Sequence, residues 1–154
     1  MSPARLSHDL VREVPVLRHD DEVEAAIAAM LRCGLPALPV VGDDGALVGI
    51  FGEREFMAAL FPGYVGQLKH AGFIKHGLDD AIERRIGCRT DAVSGYMNTE
   101  HIAVDEDFSD VQLAETFLHH RVLIIPVVRD TRVSGVVTRA EFFRRIAERF
   151  LEVS

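Results

Sequence analysis

The amino-acid sequence predicts a mixed α+β fold in which one strand-helix-strand-strand-helix unit occurs twice. Three observations carry this. Two short β-branched patterns match each other in order, Pro39-Val40-Val41 with Leu47-Val48-Gly49-Ile50-Phe51, and Pro126-Val127-Val128 with Val133-Ser134-Gly135-Val136-Val137. The match extends upstream, at an offset of 87 residues, into two stretches of helical periodicity, and downstream into two more. Self-similarity at a fixed period is the mark of a repeated supersecondary unit.

The elements follow in chain order. Val14-Pro15-Val16-Leu17 reads as a short extended piece. Asp20-Asp21-Glu22 then opens a helix whose apolar positions are Val23, Ala26, Ile27, Met30 and Leu31; acidic residues at a helix start suit its exposed N–H groups and dipole. Pro39 begins a strand, where its missing N–H costs nothing. The turn Gly42-Asp43-Asp44-Gly45-Ala46 closes a hairpin, and Asp44-Gly45 is a pair that tolerates positive φ. Residues 53–61 read as a helix stopped by Pro62-Gly63.

The second copy repeats the order. Ile102-Ala103-Val104 is extended, and Asp107 and Ser109-Asp110 open a helix with Val111, Ala114, Phe117 and Leu118 as its predicted face. The hairpin turn, Arg129-Asp130-Thr131-Arg132, is one residue shorter than its counterpart. Residues 140–151 read as the closing helix, with Phe142, Phe143, Ile146 and Phe150 available to pack. One unit is too small to bury its own sheet and helices, so the two should pack face to face. The expected organisation is a first repeat over 1–61, a helical insert over 62–90 and a second repeat over 91–154. The insert is too long for a plain loop. Leu78, Ile82 and Ile86 recur in it at helical spacing, and Val65 and Leu68 suggest a further helix. The first stripe either covers the protein's own core or offers a surface for another chain.

Bulk properties narrow the function. The formal net charge is −7, which fits phosphate-backbone binding poorly, so no nucleic-acid partner is expected. No apolar run approaches the ~18 residues needed to span a membrane, and the first residues carry charge rather than a signal-type apolar core. Cys33 and Cys88 form no CxxC motif, and a reducing, cytoplasmic setting is expected. His119-His120 are neighbours that diverge on a helix, while His70, His76 and Cys88 could meet only through the insert; no metal site is expected. No nucleophile elbow or P-loop is present, so no catalytic residues and no enzyme are expected.

The ordered double pattern of proline, β-branched pair, turn, glycine, apolar pair and then Thr138-Arg139-Ala140-Glu141 closely resembles the CBS domain in its tandem form, the Bateman module. The resemblance covers nearly the whole chain outside 62–90. It implies a pseudo-twofold packing of two sheets with two clefts. It also implies an adenine nucleotide or S-adenosylmethionine as regulatory ligand with no required cofactor, a homodimer, and a target protein whose identity is open. The alternative is a structural dimerisation module with vestigial clefts.

In similar proteins a hydroxyl at the position of Thr138 meets phosphate, and the acidic residue three positions later, here Glu141 where the family usually has Asp, meets the ribose. A hydroxyl with free N–H groups suits an anion, and a carboxylate can accept both ribose hydroxyls. Arg139 could add a charge-assisted contact. Thr138 and Glu141 are equally spaced as a helix capping box, which would leave them a structural role alone. The resemblance has the clefts shared between repeats. The Thr138 cleft should then be walled by Leu35, Pro36, Ala37 and Val136. The matching cleft would hold Ile50, Gly52 and Glu55 with Val122, Leu123 and Ile124. Gly52 stands where the hydroxyl should be, so this second cleft should be weaker, and every wall residue would serve equally well as core.

Overall fold

A computed structural model describes residues 7–61 and 77–153. The elements run β1 (Leu17–Arg18), α1 (Val23–Cys33), β2 (Ala37–Val41), β3 (Leu47–Gly52), α2 (Glu53–Leu60), α3 (Leu78–Arg84), β4 (Val104–Asp105), α4 (Asp110–His119), β5 (Ile124–Arg129), β6 (Arg132–Thr138) and α5 (Arg139–Glu152), with 3-10 turns at His8–Leu10, Ile86–Thr90 and Val93–Gly95. They form two three-stranded sheets, ordered β1-β2-β3 and β4-β5-β6. In each, the first pair is parallel and the second antiparallel. The hairpins share their register: Pro39 faces Ile50, Pro126 faces Val136, and the ladder shifts at Val40/Val41 and again at Val127/Val128. A bulge kept at the same place in both copies is the repeat expressed in geometry.

The turns differ as their lengths require. The first folds back through the Gly45 N–H donating to the Gly42 carbonyl at 2.9 Å. The second is a two-residue turn with Asp130 and Thr131 both at positive φ. The hairpin tips meet: the Leu47 N–H donates to the Thr131 carbonyl at 3.0 Å, and the Arg132 guanidinium to the Asp44 carbonyl at 2.9 Å.

Each sheet is finished by the other repeat's leading segment. Arg12 and Val136 exchange two backbone hydrogen bonds of 2.9 Å, and Ile50 and Asn98 exchange two of 3.0 and 2.8 Å. Side chains follow: Leu10 is buried with Val104, Phe108, Leu113 and Phe142, while Val93 is buried with Leu17, Leu38 and Phe51. Ser7 hooks onto the start of α4, its N–H and hydroxyl both donating to the Asp110 carboxylate. Between the sheets lies a small apolar layer of Ala37, Ile50, Ile124 and Val136.

The helix faces correct several expectations. In α1, Ala29 is buried while Leu31 is 79% exposed. In α4 the inward residue is Leu113, and Val111 and Leu118 are 68% and 80% exposed. In α5, Phe142 alone is fully inside, stacked on Phe117 with ring centres 5.3 Å apart; Phe143, Ile146 and Phe150 face outward. The cause is common to all three: a helix lying on a small sheet buries a narrow stripe, and a broad apolar face exceeds it. The stripe of Leu78, Ile82 and Ile86 is also exposed, so it does not cover this chain's core. Val65 and Leu68 lie outside the described residues.

Candidate cleft between the repeats

Strand β6 delivers Thr138 to the N-terminus of α5 in an extended conformation. Its side chain is buried, and its hydroxyl accepts the Glu141 N–H at 3.1 Å. That bond is one half of a capping box. The other half is not made by Glu141, whose carboxylate instead accepts from Arg12 at 2.9 Å. The next N–H, that of Arg139, donates to the Leu123 carbonyl at 2.9 Å, which ties the opening of α5 to the segment before β5.

Beside this corner is a cavity of about 590 Å³ lined by Thr138, Arg139, Ala140, Glu141, Phe143 and Leu123 of the second repeat and by Arg12, Gly34, Leu35 and Pro36 of the first. Its volume falls in the ~300–1,000 Å³ range of small-molecule sites. Leu35, Pro36, Leu123 and Phe143 make an apolar portion, and Arg12, Arg139, Thr138 and Glu141 a polar one. Phe143 is 70% exposed, a large cost for an aromatic ring unless it serves a surface.

Most residues expected around Thr138 are therefore brought together. Ala37 and Val136 are close by but buried in the inter-sheet layer and do not line the cavity. Leu123, expected in the other cleft, lines this one. The lining also takes in Gly34 and Ala140, neighbours of expected residues, and Arg12 and Phe143, which nothing in the sequence marks as cleft residues. Arg12 arrives from the crossed leader, about 126 positions before Thr138, and no local spacing announces it. Phe143 follows Phe142 directly, and periodicity assigns both to packing.

At the matching corner, Gly52 takes the place of the hydroxyl. A Cβ there would lie 2.5 Å from the Ala37 Cβ and 2.6 Å from the Pro36 carbonyl oxygen, so only glycine fits this approach. Glu55 reaches back to accept the Gly52 N–H at 2.9 Å. Burial raises its pKa, against the lowering influence of its backbone hydrogen bonds and Arg54. The Glu53 N–H donates to the Pro36 carbonyl at 2.9 Å, and Arg54 reaches across to the Arg121 carbonyl at 3.3 Å. Ile50 and Ile124 are buried in the layer between the sheets, and Val122 packs on the second core. Among the described residues, no helix is long and apolar enough to cross a membrane, and no cluster of three or more His, Cys, Asp or Glu could hold a metal ion.

The family model described as "CBS domain" matches this chain twice, over residues 7–62 and 93–148. The chain belongs to the CBS-domain family. The first matched segment contains β1 to α2, and the second contains β4 to β6 and most of α5. The protein is 26% identical over 148 residues to an uncharacterized protein of Methanocaldococcus jannaschii, covering 96% of this chain and 33% of that protein, so it spans about a third of that relative's length. Two solved CBS structures share the fold. One is CBSX2 in complex with AMP, with TM-score 0.68 and 18% identity, covering 96% of this chain and 99% of that one. The other is the CBS domain pair of protein MJ0100 in complex with 5-methylthioadenosine and S-adenosyl-L-methionine, with TM-score 0.70 and 21% identity, covering 96% and 99%.

Proposed function

We propose that this CBS pair is a non-catalytic, cytoplasmic regulatory module that binds one adenine nucleotide in the Thr138 cleft. The observation that carries the reading is the 590 Å³ cavity, in which Thr138, Arg139 and Glu141 of one repeat face Leu35 and Pro36 of the other. A purine would lie against the apolar portion, the ribose against Glu141, and the phosphate near Thr138 and Arg139. The adenosyl ligands named for CBSX2 and the MJ0100 pair support this ligand class. A ligand touching both repeats biases their arrangement only if it binds one arrangement better than another. The output would then pass to a target protein.

The test is calorimetry with AMP, ADP, ATP and S-adenosylmethionine. Binding of at least one, lost or weakened at least tenfold in the Thr138→Ala, Glu141→Ala double variant, is the expected result. Full affinity in that variant would refute the site, and no binding at millimolar ligand would refute the sensor.

A second reading, a dimerisation module with vestigial clefts, is favoured by the groove of about 590 Å³ between α1 and α2. Ile27, Met30, Phe56 and the exposed Leu31 and Met57 line it. We infer a homodimer through such helix faces under either reading. A dimer in light scattering that binds no adenosyl ligand would favour the second.

A further inference from the structure

Arg12 joins the cleft by a route that fixes its backbone and leaves its charge free to change partner. Its N–H and carbonyl are both bonded to Val136 at 2.9 Å. The approach is so close that a Cβ on Gly135 would lie 2.4 Å from the Arg12 carbonyl oxygen. The leader is further held by the buried Leu10 and by Arg145, whose guanidinium grips the Asp9 carboxylate at 2.6 and 3.1 Å. The Arg12 guanidinium is thus presented from an anchored strand. Its partner, the Glu141 carboxylate, is 2.9 Å away, and both side chains remain substantially exposed. Exposed ion pairs contribute little, so a ligand can replace this one at small cost.

We propose that Arg12 is the specificity-determining residue of the cleft and selects phosphorylated nucleosides over uncharged or cationic adenosyl compounds. The inference rests on the nucleotide reading above. A ribose diol takes the place of Arg12 on Glu141, because a carboxylate can accept from both hydroxyls. The released guanidinium is then free to take a phosphate, whose oxygens offer the two-pronged geometry it fits best. A plain nucleoside satisfies Glu141 but leaves Arg12 to water, with no anion gained. A sulfonium ligand brings a positive charge to the side that already carries Arg12 and Arg139. At the pseudo-symmetric position stands Asn98, paired with Ile50 as Arg12 is with Val136, and it carries no charge to exchange.

The experiment compares AMP, adenosine and S-adenosylmethionine by calorimetry on the wild-type chain, Arg12→Met and Arg12→Lys, with thermal melting to confirm that each variant folds. Charge-assisted hydrogen bonds predict that wild type prefers AMP to adenosine by about 10- to 100-fold. In Arg12→Met that ratio should fall by about threefold or more, mainly through weaker AMP binding, with Thr138 and Arg139 keeping the remainder, and Arg12→Lys should recover part of it. Equal weakening of AMP and adenosine in Arg12→Met, or wild-type preference for S-adenosylmethionine over AMP, overturns the role of Arg12 while leaving the cleft intact. Absence of binding by all three ligands to wild type overturns the cleft reading and this inference together. A merely structural Arg12 would lower the melting temperature without moving the AMP-to-adenosine ratio.

Discussion

The helix-opening corner of the first repeat and that of the second begin from the same register, Ala37 facing Gly52 and Ile124 facing Thr138, yet they are put to different uses. In the first, the strands come so close that a side chain is excluded, and Glu55 turns inward to cap Gly52. In the second, a hydroxyl caps the helix and the carboxylate is left at the cavity wall, held by Arg12. One acidic residue at one repeat position is spent on its own backbone and the other remains available. A matching motif therefore predicts a matching fold more securely than a matching site.

The largest expected effect comes from trying to make the two corners alike. Gly52→Thr restores the missing hydroxyl on paper, but its Cβ enters space held by Ala37 and Pro36. It should destabilise the chain by about 1–3 kcal/mol, read as a lower denaturation midpoint, and add no second ligand per chain by calorimetric stoichiometry. A second equivalent of nucleotide would show that the first corner is blocked only by its missing hydroxyl. A smaller change, Thr138→Val, keeps shape and removes the cap, and should cost about 1 kcal/mol in chemical denaturation. No loss would mean that the Glu141 N–H finds another acceptor.

The smallest effect concerns Glu55. Its pKa is raised in the folded state by burial, so the native chain binds the proton more readily than the unfolded one. The associated stability is present at low pH and is lost as pH rises from the ordinary glutamate value through the raised one. Glu55→Gln keeps an acceptor for the Gly52 N–H and removes this titration. The variant should match or slightly exceed wild type at neutral pH, and the difference should close as pH falls below about 4. Glu141→Gln, which removes the ion pair with Arg12 and leaves the cap from Thr138 in place, serves as the contrast in the same denaturation series.

Much of this was legible in the sequence because the repeat made each element confirm its partner. The hairpins, their prolines and the two helix starts follow from β-branched runs and capping residues at matched offsets. Helix faces were less legible. Val111 and Leu118 are as apolar as Leu113, and only the packed geometry against Phe108, Val127 and Phe142 decides which points inward. The cleft was half legible: Thr138, Glu141 and Leu35-Pro36 lie in or beside the repeat motif, whereas Arg12 depends on a strand exchange that leaves no local trace. The hydroxyl missing at Gly52 could be read from the sequence, but the tight approach of Ala37 could not.

The crossed leaders also set a timetable for folding. During synthesis residues 7–12 are made well before their hydrogen-bonding partner Val136 and before Leu113, Val127 and Phe142 of the core that receives Leu10, all more than a hundred residues further on. Until then Leu10 has nothing to cover it, and the second sheet cannot be finished. Contacts of such long sequence separation slow folding, because a large loop must close before they reward the chain. The last step should therefore be the seating of the leader along β6, which carries Arg12 into the cleft as it closes.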